Sequence, residues 1–143
     1  ILKNYMYANS VHLIDYFNFA IKSEIKHIKK IVNNKNFISA IITYKNGDIG
    51  QYYCFWNRPG PWSVNLSTKK MYISLSPVEK IEYRNNKSYK NYEITTPKED
   101  LIYKAGFYTQ SKEIIKLVMN KKSKLTSMKD FIKTMKIING IYK

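Results

Sequence analysis

The chain has 143 residues, of which 44% are apolar, enough for one domain with a buried core and too apolar for disorder. No stretch approaches the roughly 20 consecutive apolar residues of a membrane span, and no charged-then-apolar leader opens the sequence. The single cysteine, Cys54, excludes an internal disulfide, so a cytoplasmic protein off the membrane is expected.

The net charge of +15 raises nucleic acid as a partner. The positive charge is nearly all lysine, however, and is spread from Lys3 to Lys143. Only Arg58 and Arg84 can supply the planar fork that reads phosphate or guanine bidentately. A solvated lysine surface is the expectation. Cys54 is expected to pack as a small hydrophobe in a strand. The chain opens on Ile1 and not on methionine, as a processed product or a piece of something longer would.

In chain order, Asn9 or Ser10 can cap a helix whose apolar positions Val11, Ile14, Phe17 and Ile21 recur at helical spacing. The lysine-rich stretch Lys22 to Lys30, with Ile25, Ile28 and Ile31 in it, leads into a strand. "FISAIITYKNGDIGQYYCFW", Phe37 to Trp56, is two apolar runs around Asn46-Gly47, a dipeptide that favours the positive backbone angles of a type I′ hairpin turn. "NRPGPW" is a loop. "WSVNLS", "MYISLSP" and the two halves of "KIEYRNNKSYKNYEIT" then read as four further strands.

After Pro97 the pattern turns helical. In "GFYTQSKEIIKLVMN", Thr109 or Ser111 is the candidate cap and Ile114, Ile115, Leu117 and Val118 the apolar face. In "LTSMKDFIKTMKIINGIY", Ser127 with Asp130 resembles a capping box ahead of the stripe Met128, Phe131, Ile132, Met135 and Ile138. The order predicts an α+β domain: a largely antiparallel open sheet from about residue 25 to 96, with helices packed on one face.

The search for chemistry is informative mainly by exclusion. Glycines at 47, 50, 60, 106 and 140 form neither a G-x-G-x-x-G turn nor a P-loop. Two histidines and one cysteine without ligand spacing give no metal site. His12 and Asp15 stand three apart, on neighbouring positions of one helical face. From the residues alone they are either a hydrogen-bonded structural pair at a helix start or the core of a proton-transfer site.

"NSVHLIDYF", Asn9 to Phe17, resembles the HxxD-bearing helix that opens the C-terminal domain of the Gfo/Idh/MocA (glucose–fructose oxidoreductase / inositol dehydrogenase) family. The likeness continues in order through the Phe37–Asn57 hairpin and the strand pair in "WSVNLSTKKMYISLSP". It takes in the Gly-Phe segment "KAGFYTQSKEIIKLV" and the closing helix "SMKDFIKTMKIINGIY".

The resemblance implies a whole protein of two domains: an N-terminal Rossmann domain that binds NAD or NADP, and a C-terminal domain that supplies an open sheet, much of a sugar pocket and a catalytic histidine. Residues 1–143 are then a single substrate-binding and oligomerisation domain, with the Rossmann domain outside this chain. The chain itself is expected to bind no cofactor and to be inactive alone, NAD or NADP belonging to the full-length parent. His12 is the implied catalytic base for a sugar or nucleotide-sugar dehydrogenase, and Asn9, Asp15 and Tyr108 are the candidates for binding or orienting substrate. The family's aspartate four residues before the histidine is replaced here by Ala8, which weakens a direct transfer of the acid–base arrangement.

A homodimer through the open sheet face is also expected. Tyr44, Tyr52, Tyr53, Trp56, Tyr72, Tyr83, Tyr89 and Tyr92 offer more aromatic surface than one helical layer buries. Two readings of other classes stand beside this one: a stand-alone protein-interaction module that has kept the sheet without the chemistry, and a basic nucleic-acid-binding domain.

Overall fold

The structure, a computed structural model, describes residues 10–56 and 58–142. The elements in chain order are α1 (Val11–Ala20), β1 (Ile25–Asn33), β2 (Phe37–Tyr44), β3 (Ile49–Phe55), β4 (Val64–Ser67), β5 (Met71–Leu75), β6 (Ile81–Asn85), β7 (Tyr92–Glu93), α2 (Lys98–Ile102), α3 (Phe107–Val118) and α4 (Met128–Tyr142). The expected α+β class holds, with antiparallel pairing throughout the described strands. The strands form two ladders, however, and not one: β1-β2-β3 and β4-β5-β6-β7. Pro59 and Pro61, which lack the N–H a ladder needs, stand in the connection between them.

The chain divides into two compact units, one taking the chain up to Pro61 and again from Met128, the other running from Trp62 to Ser127. In the first unit, β2 alternates strictly: Ile38, Ala40, Ile42 and Tyr44 are buried, while Phe37, Ser39, Ile41 and Thr43 are half-buried. A two-residue period of branched and aromatic side chains is what a half-covered strand requires. The core joins that row to Ile14 of α1, to Tyr52 and Trp56, and to Ile137, Ile138 and Ile141 of α4. Removing each such aliphatic from water contributes about 1.5–3 kcal/mol. α1 lies so close to β3 that a Cβ on Gly50 would stand 2.6 Å from the Phe17 ring.

Three sequence readings change here. The hairpin is where Asn46-Gly47 placed it, but its turn is not type I′. Gly47 alone has positive φ, at 90°, while Gly47 N donates to Tyr44 O and Tyr44 N to Asp48 O. That is a three-residue loop with glycine at the left-handed position. Asn46 instead holds the loop by its side chain, accepting from Asp48 N and donating to the Asp48 carboxylate.

The buried stripe of α4 is Thr134, Ile137, Ile138 and Ile141, and Met128, Phe131 and Ile132 are exposed. The stripe is rotated from the expected one because a polar residue, Thr134, occupies the inward position. The aromatic surface is also smaller than expected, since Tyr44, Tyr52 and Trp56 belong to the core.

In the second unit, one face of the sheet carries the row Leu66, Ile73, Tyr83 and Tyr92 across all four strands, with Tyr83 stacked on Tyr92 at 5.3 Å. The next row of that face is Val64, Leu75 and Ile81. α3 starts one turn earlier than its candidate caps imply. Gly106, at φ 81°, is the N-cap and donates its N–H to Asp100 of α2. Thr109 and Ser111 lie inside the helix, and Ser111 bonds back to Phe107 O.

Ile114, Ile115, Leu117 and Val118 are exposed, and the buried residue of α3 is Glu113. Its carboxylate accepts from Lys116 Nζ and from the backbone N–H of Lys124. These bonds, that to Lys116 foremost, hold the Glu113 carboxyl down at about 2.

Two outcomes follow. A folded-state value below the unfolded 4.5 means that Glu113 adds stability above that pH and loses it as pH falls toward 2. The melting temperature of the unaltered chain should therefore fall toward that of Glu113→Gln across this interval. A gap that stays constant from neutral to acid pH would contradict the assignment. Gly50→Ala should lower unfolding free energy by about 1–3 kcal/mol, because the Phe17 ring must move. Urea denaturation with an unchanged midpoint would show that α1 does not sit on β3 as described.

Candidate functional site

α1 presents two faces with different duties. Val11, Ile14, Phe17 and Ile21 turn toward the sheet and join or pack against the core. His12, out of phase with them, is exposed. The imidazole is thus not enclosed among Ile14, Phe17 and the strands. Asn9, the first candidate for substrate contact, lies outside the described residues. Ser10 is buried but makes no side-chain capping bond. Its hydroxyl pairs with Tyr52 instead.

Asp15 faces α4. Its Oδ1 accepts a 2.5 Å hydrogen bond from the Thr134 hydroxyl, whose oxygen in turn accepts from Asn18 Nδ2 at 2.7 Å. Thr134 is wholly buried, so both its donor and its acceptor capacity are met without water. One hydroxyl thereby fastens two points of α1, one turn apart, to α4. Asp15 is engaged with Thr134, and His12 on the same helix stays outward. Thr134 was missed in the sequence. The available signal was a threonine between Phe131 and Ile138, where the helical period calls for an apolar residue.

Tyr108 belongs to the other unit, in the first turn of α3. Its ring stacks on Tyr103 at 6.2 Å and 9°, and the Lys112 ammonium lies 4.2 Å from its centroid. Lys112 is raised above its ordinary value by a hydrogen bond to the Tyr108 phenol. His12 and Asp15 share α1, then, and Tyr108 stands on a different body of the chain.

Cys54 is half-buried against the core, and burial pushes its thiol up, which suits packing and not nucleophilic attack. Burial raises Tyr44 to about 12 and Tyr52 and Tyr142 further still. All three phenols are therefore neutral structural groups at physiological pH.

Beyond the C-terminal end of α1 lies a cleft of about 680 Å3, lined among others by Asn18, Lys22, Glu24, Lys129, Asp130 and Lys133. His12 is not part of its wall. Among the described residues no group of three or more His, Cys, Asp or Glu side chains could hold a metal ion. No described helix is long and apolar enough to cross a membrane.

No family model matches the chain, and no curated protein matches it. Solved structures do. A chain from Desulfitobacterium hafniense DCB-2, assigned as an NADPH-dependent oxidoreductase, superposes with a TM-score of 0.69 at 12% identity, over 94% of this chain and 43% of its own. A dehydrogenase (MviM) from Clostridium difficile superposes with a TM-score of 0.73 at 14% identity, over 97% of this chain and 47% of its own. The chain thus spans less than half the length of either. At such identities the likeness establishes the fold. It is the fold that the resemblance to the Gfo/Idh/MocA C-terminal domain implied, with counterparts in oxidoreductase structures.

Thr134→Val should cost about 1–3 kcal/mol, because it leaves the Asn18 amide and the Asp15 carboxylate without their partner. Thr134→Ser, which keeps the hydroxyl, should recover most of that. Chemical denaturation of the two variants decides it, and equal midpoints for valine and serine would remove the clip from the structure's essential parts.

Proposed function

We propose that this chain is the substrate-binding and self-associating portion of an NAD(P)-dependent dehydrogenase acting on a sugar-type substrate. Its nucleotide-binding domain would lie outside residues 1–143. The observation that carries this reading is the asymmetry of coverage. Nearly all of this chain superposes on less than half of two longer chains whose names denote an oxidoreductase and a dehydrogenase.

The glycines support placing the cofactor elsewhere. Gly50 is packed under Phe17 and Gly140 under Ile28, Gly47 serves the hairpin turn, and Gly106 caps α3. Gly47 and Gly106 each stand singly in their turns, without the neighbouring glycines of a G-x-G-x-x-G turn. A nicotinamide held by that other domain would supply the hydride acceptor.

The residues of this chain would bind the substrate and take its proton. Oxidation of a carbinol carbon needs a base for the hydroxyl proton, and an imidazole suits that task near neutral pH. His12 is the candidate because it is exposed on a helix fixed at Asp15 and Asn18, so its backbone is held while the ring stays accessible. In this reading Asp15 acts through the helix and not on the ring. Asn9 remains a proposed hydrogen-bonding partner of the substrate.

Self-association is supported by the outward face of the first sheet. There Ile49 and Tyr53 are about half exposed or more, and Phe37 stacks on Phe55 at 4.9 Å. A second copy of the same face is the proposed cover.

In the full-length polypeptide, His12→Ala should cut turnover by roughly 10²–10⁴ and leave nicotinamide affinity nearly unchanged. Turnover within a few-fold of the unaltered enzyme would remove His12 from the chemistry. Calorimetry on residues 1–143 alone should show no NAD(H) or NADP(H) binding, and micromolar binding would overturn the domain assignment. Sedimentation should give a dimer, which Tyr53→Lys weakens; a monomer at all concentrations would refute the sheet-face interface.

A further inference from the structure

The second sheet carries a feature that the dehydrogenase reading does not use. On the face opposite its apolar rows, Ser67, Tyr72 and Arg84 stand in one register row across β4, β5 and β6. Their ends open into a pocket of about 560 Å3, to which Asn85, Lys87 and Tyr89 also contribute. That volume falls within the range of about 300–1,000 Å3 typical of small-molecule sites. No carboxylate lines it.

Three observations bear on what it would hold. The first is uncompensated positive charge. Next to β6, Lys80 bridges Glu82 and Glu93. Arg84 and Lys87 form no ion pair among the described residues, and the Arg84 guanidinium lies 5.8 Å from the Tyr72 ring centroid. Arginine is also scarce here, Arg58 and Arg84 being the only two in a lysine-dominated chain. A guanidinium beside an aromatic face offers a planar fork, which suits a tetrahedral oxyanion better than an ammonium does.

The second is preorganisation. The two turns that form the rim are tied to one another: Asn86 N donates to Lys70 O at 2.7 Å and Asn86 Nδ2 to Lys69 O at 3.1 Å. Thr68 Oγ1 accepts from the N–H groups of both Lys70 and Met71. Lys87 sits at φ 64° in the turn closed by Ser88 N to Asn85 O, a place where glycine or asparagine is the usual occupant. A lysine there accepts local strain and sets its ammonium on the pocket rim.

The third is an unused aromatic. Tyr89 is 98% exposed at the pocket edge, so its ring offers a face on which a planar group can stack.

From these we infer a binding site for a small phosphomonoester that carries a planar ring, a nucleoside monophosphate being the simplest member. The phosphate sits between Arg84 and Lys87 and the base lies on Tyr89. The Ser67 hydroxyl, in the same register row as Arg84, would bond the sugar. The inference does not rest on the dehydrogenase reading, because no step of that chemistry is assigned to these residues.

Calorimetric titration of the unaltered chain with AMP, adenosine and inorganic phosphate tests it. AMP should bind saturably and about ten-fold or more tighter than inorganic phosphate, because one aromatic stacking contact adds that much. Adenosine should bind weakest. Arg84→Ala should weaken AMP and phosphate alike by about ten-fold or more, as expected for loss of a charge-assisted hydrogen bond, and Arg84→Lys by less. Tyr89→Ala should bring AMP down to the phosphate level while leaving phosphate binding as it was. Lys35→Ala, outside the pocket, should change nothing. All of these positions are exposed, so unchanged melting curves should accompany the losses. AMP binding no tighter than phosphate, or equal weakening by Lys35→Ala and Arg84→Ala, would reduce the effect to the chain's general positive charge and overturn the site.

Discussion

The inward row of β2 must be covered, and the cover comes from both ends of the described chain. Ile38, Ala40, Ile42 and Tyr44 are buried on one side of a three-stranded sheet, too narrow to close on itself. α1 precedes that sheet directly, whereas α4 arrives only after the whole second unit, Trp62–Ser127, has been formed. The second unit is thus an insertion within the first. The contact between α1 and α4 is what closes the first unit around its core, with Ile14 from one helix and Ile137, Ile138 and Ile141 from the other.

Burial of an aliphatic seam is non-directional and by itself names no particular partner for each side chain. The Thr134 hydroxyl is directional and binds two residues of α1, Asp15 and Asn18. Buried polar bonds of this kind select one arrangement among several of similar apolar burial. On that view the acidic residue of the HxxD pattern serves geometry, and the histidine three residues earlier gains a fixed and outward-facing platform.

The strands were legible because their signals are local. The alternation of Phe37–Tyr44 and the Gly-containing turn needed no tertiary context, and the hairpin stands where those residues placed it. Pro59 and Pro61 mark the break into two ladders, but the strand-like segments on either side carry the same local pattern and nothing local tells one sheet from two. α1 packs the expected Val11, Ile14, Phe17 and Ile21 on the core, the short α2 has no counterpart in the sequence pattern, and the two later helices turn other faces inward than the pattern implies. In α4 an inward threonine shifts the buried stripe, and in α3 the apolar Ile114–Val118 stretch is exposed while Glu113 is buried. Periodicity counts apolar positions and cannot register a polar side chain buried with its partners. The left-handed backbone of Gly106, which starts α3 early, outweighed two good capping side chains further along. Of the candidate site, the residues alone left His12 open between a structural and a proton-transfer role, and the structure shows it exposed. The partner of Asp15 lies 119 residues away in sequence and had no local signature.

These features bear on catalysis through one question, whether the imidazole on α1 takes a proton from substrate. The pH dependence of kcat/KM for the full-length polypeptide, beside that of His12→Asn, answers it most directly. A dehydrogenase using His12 as base should show an acidic limb, and the limb should vanish in the variant together with most of the rate. A limb that persists unchanged in His12→Asn would contradict the assignment, and would leave His12 as an exposed residue on a structural helix.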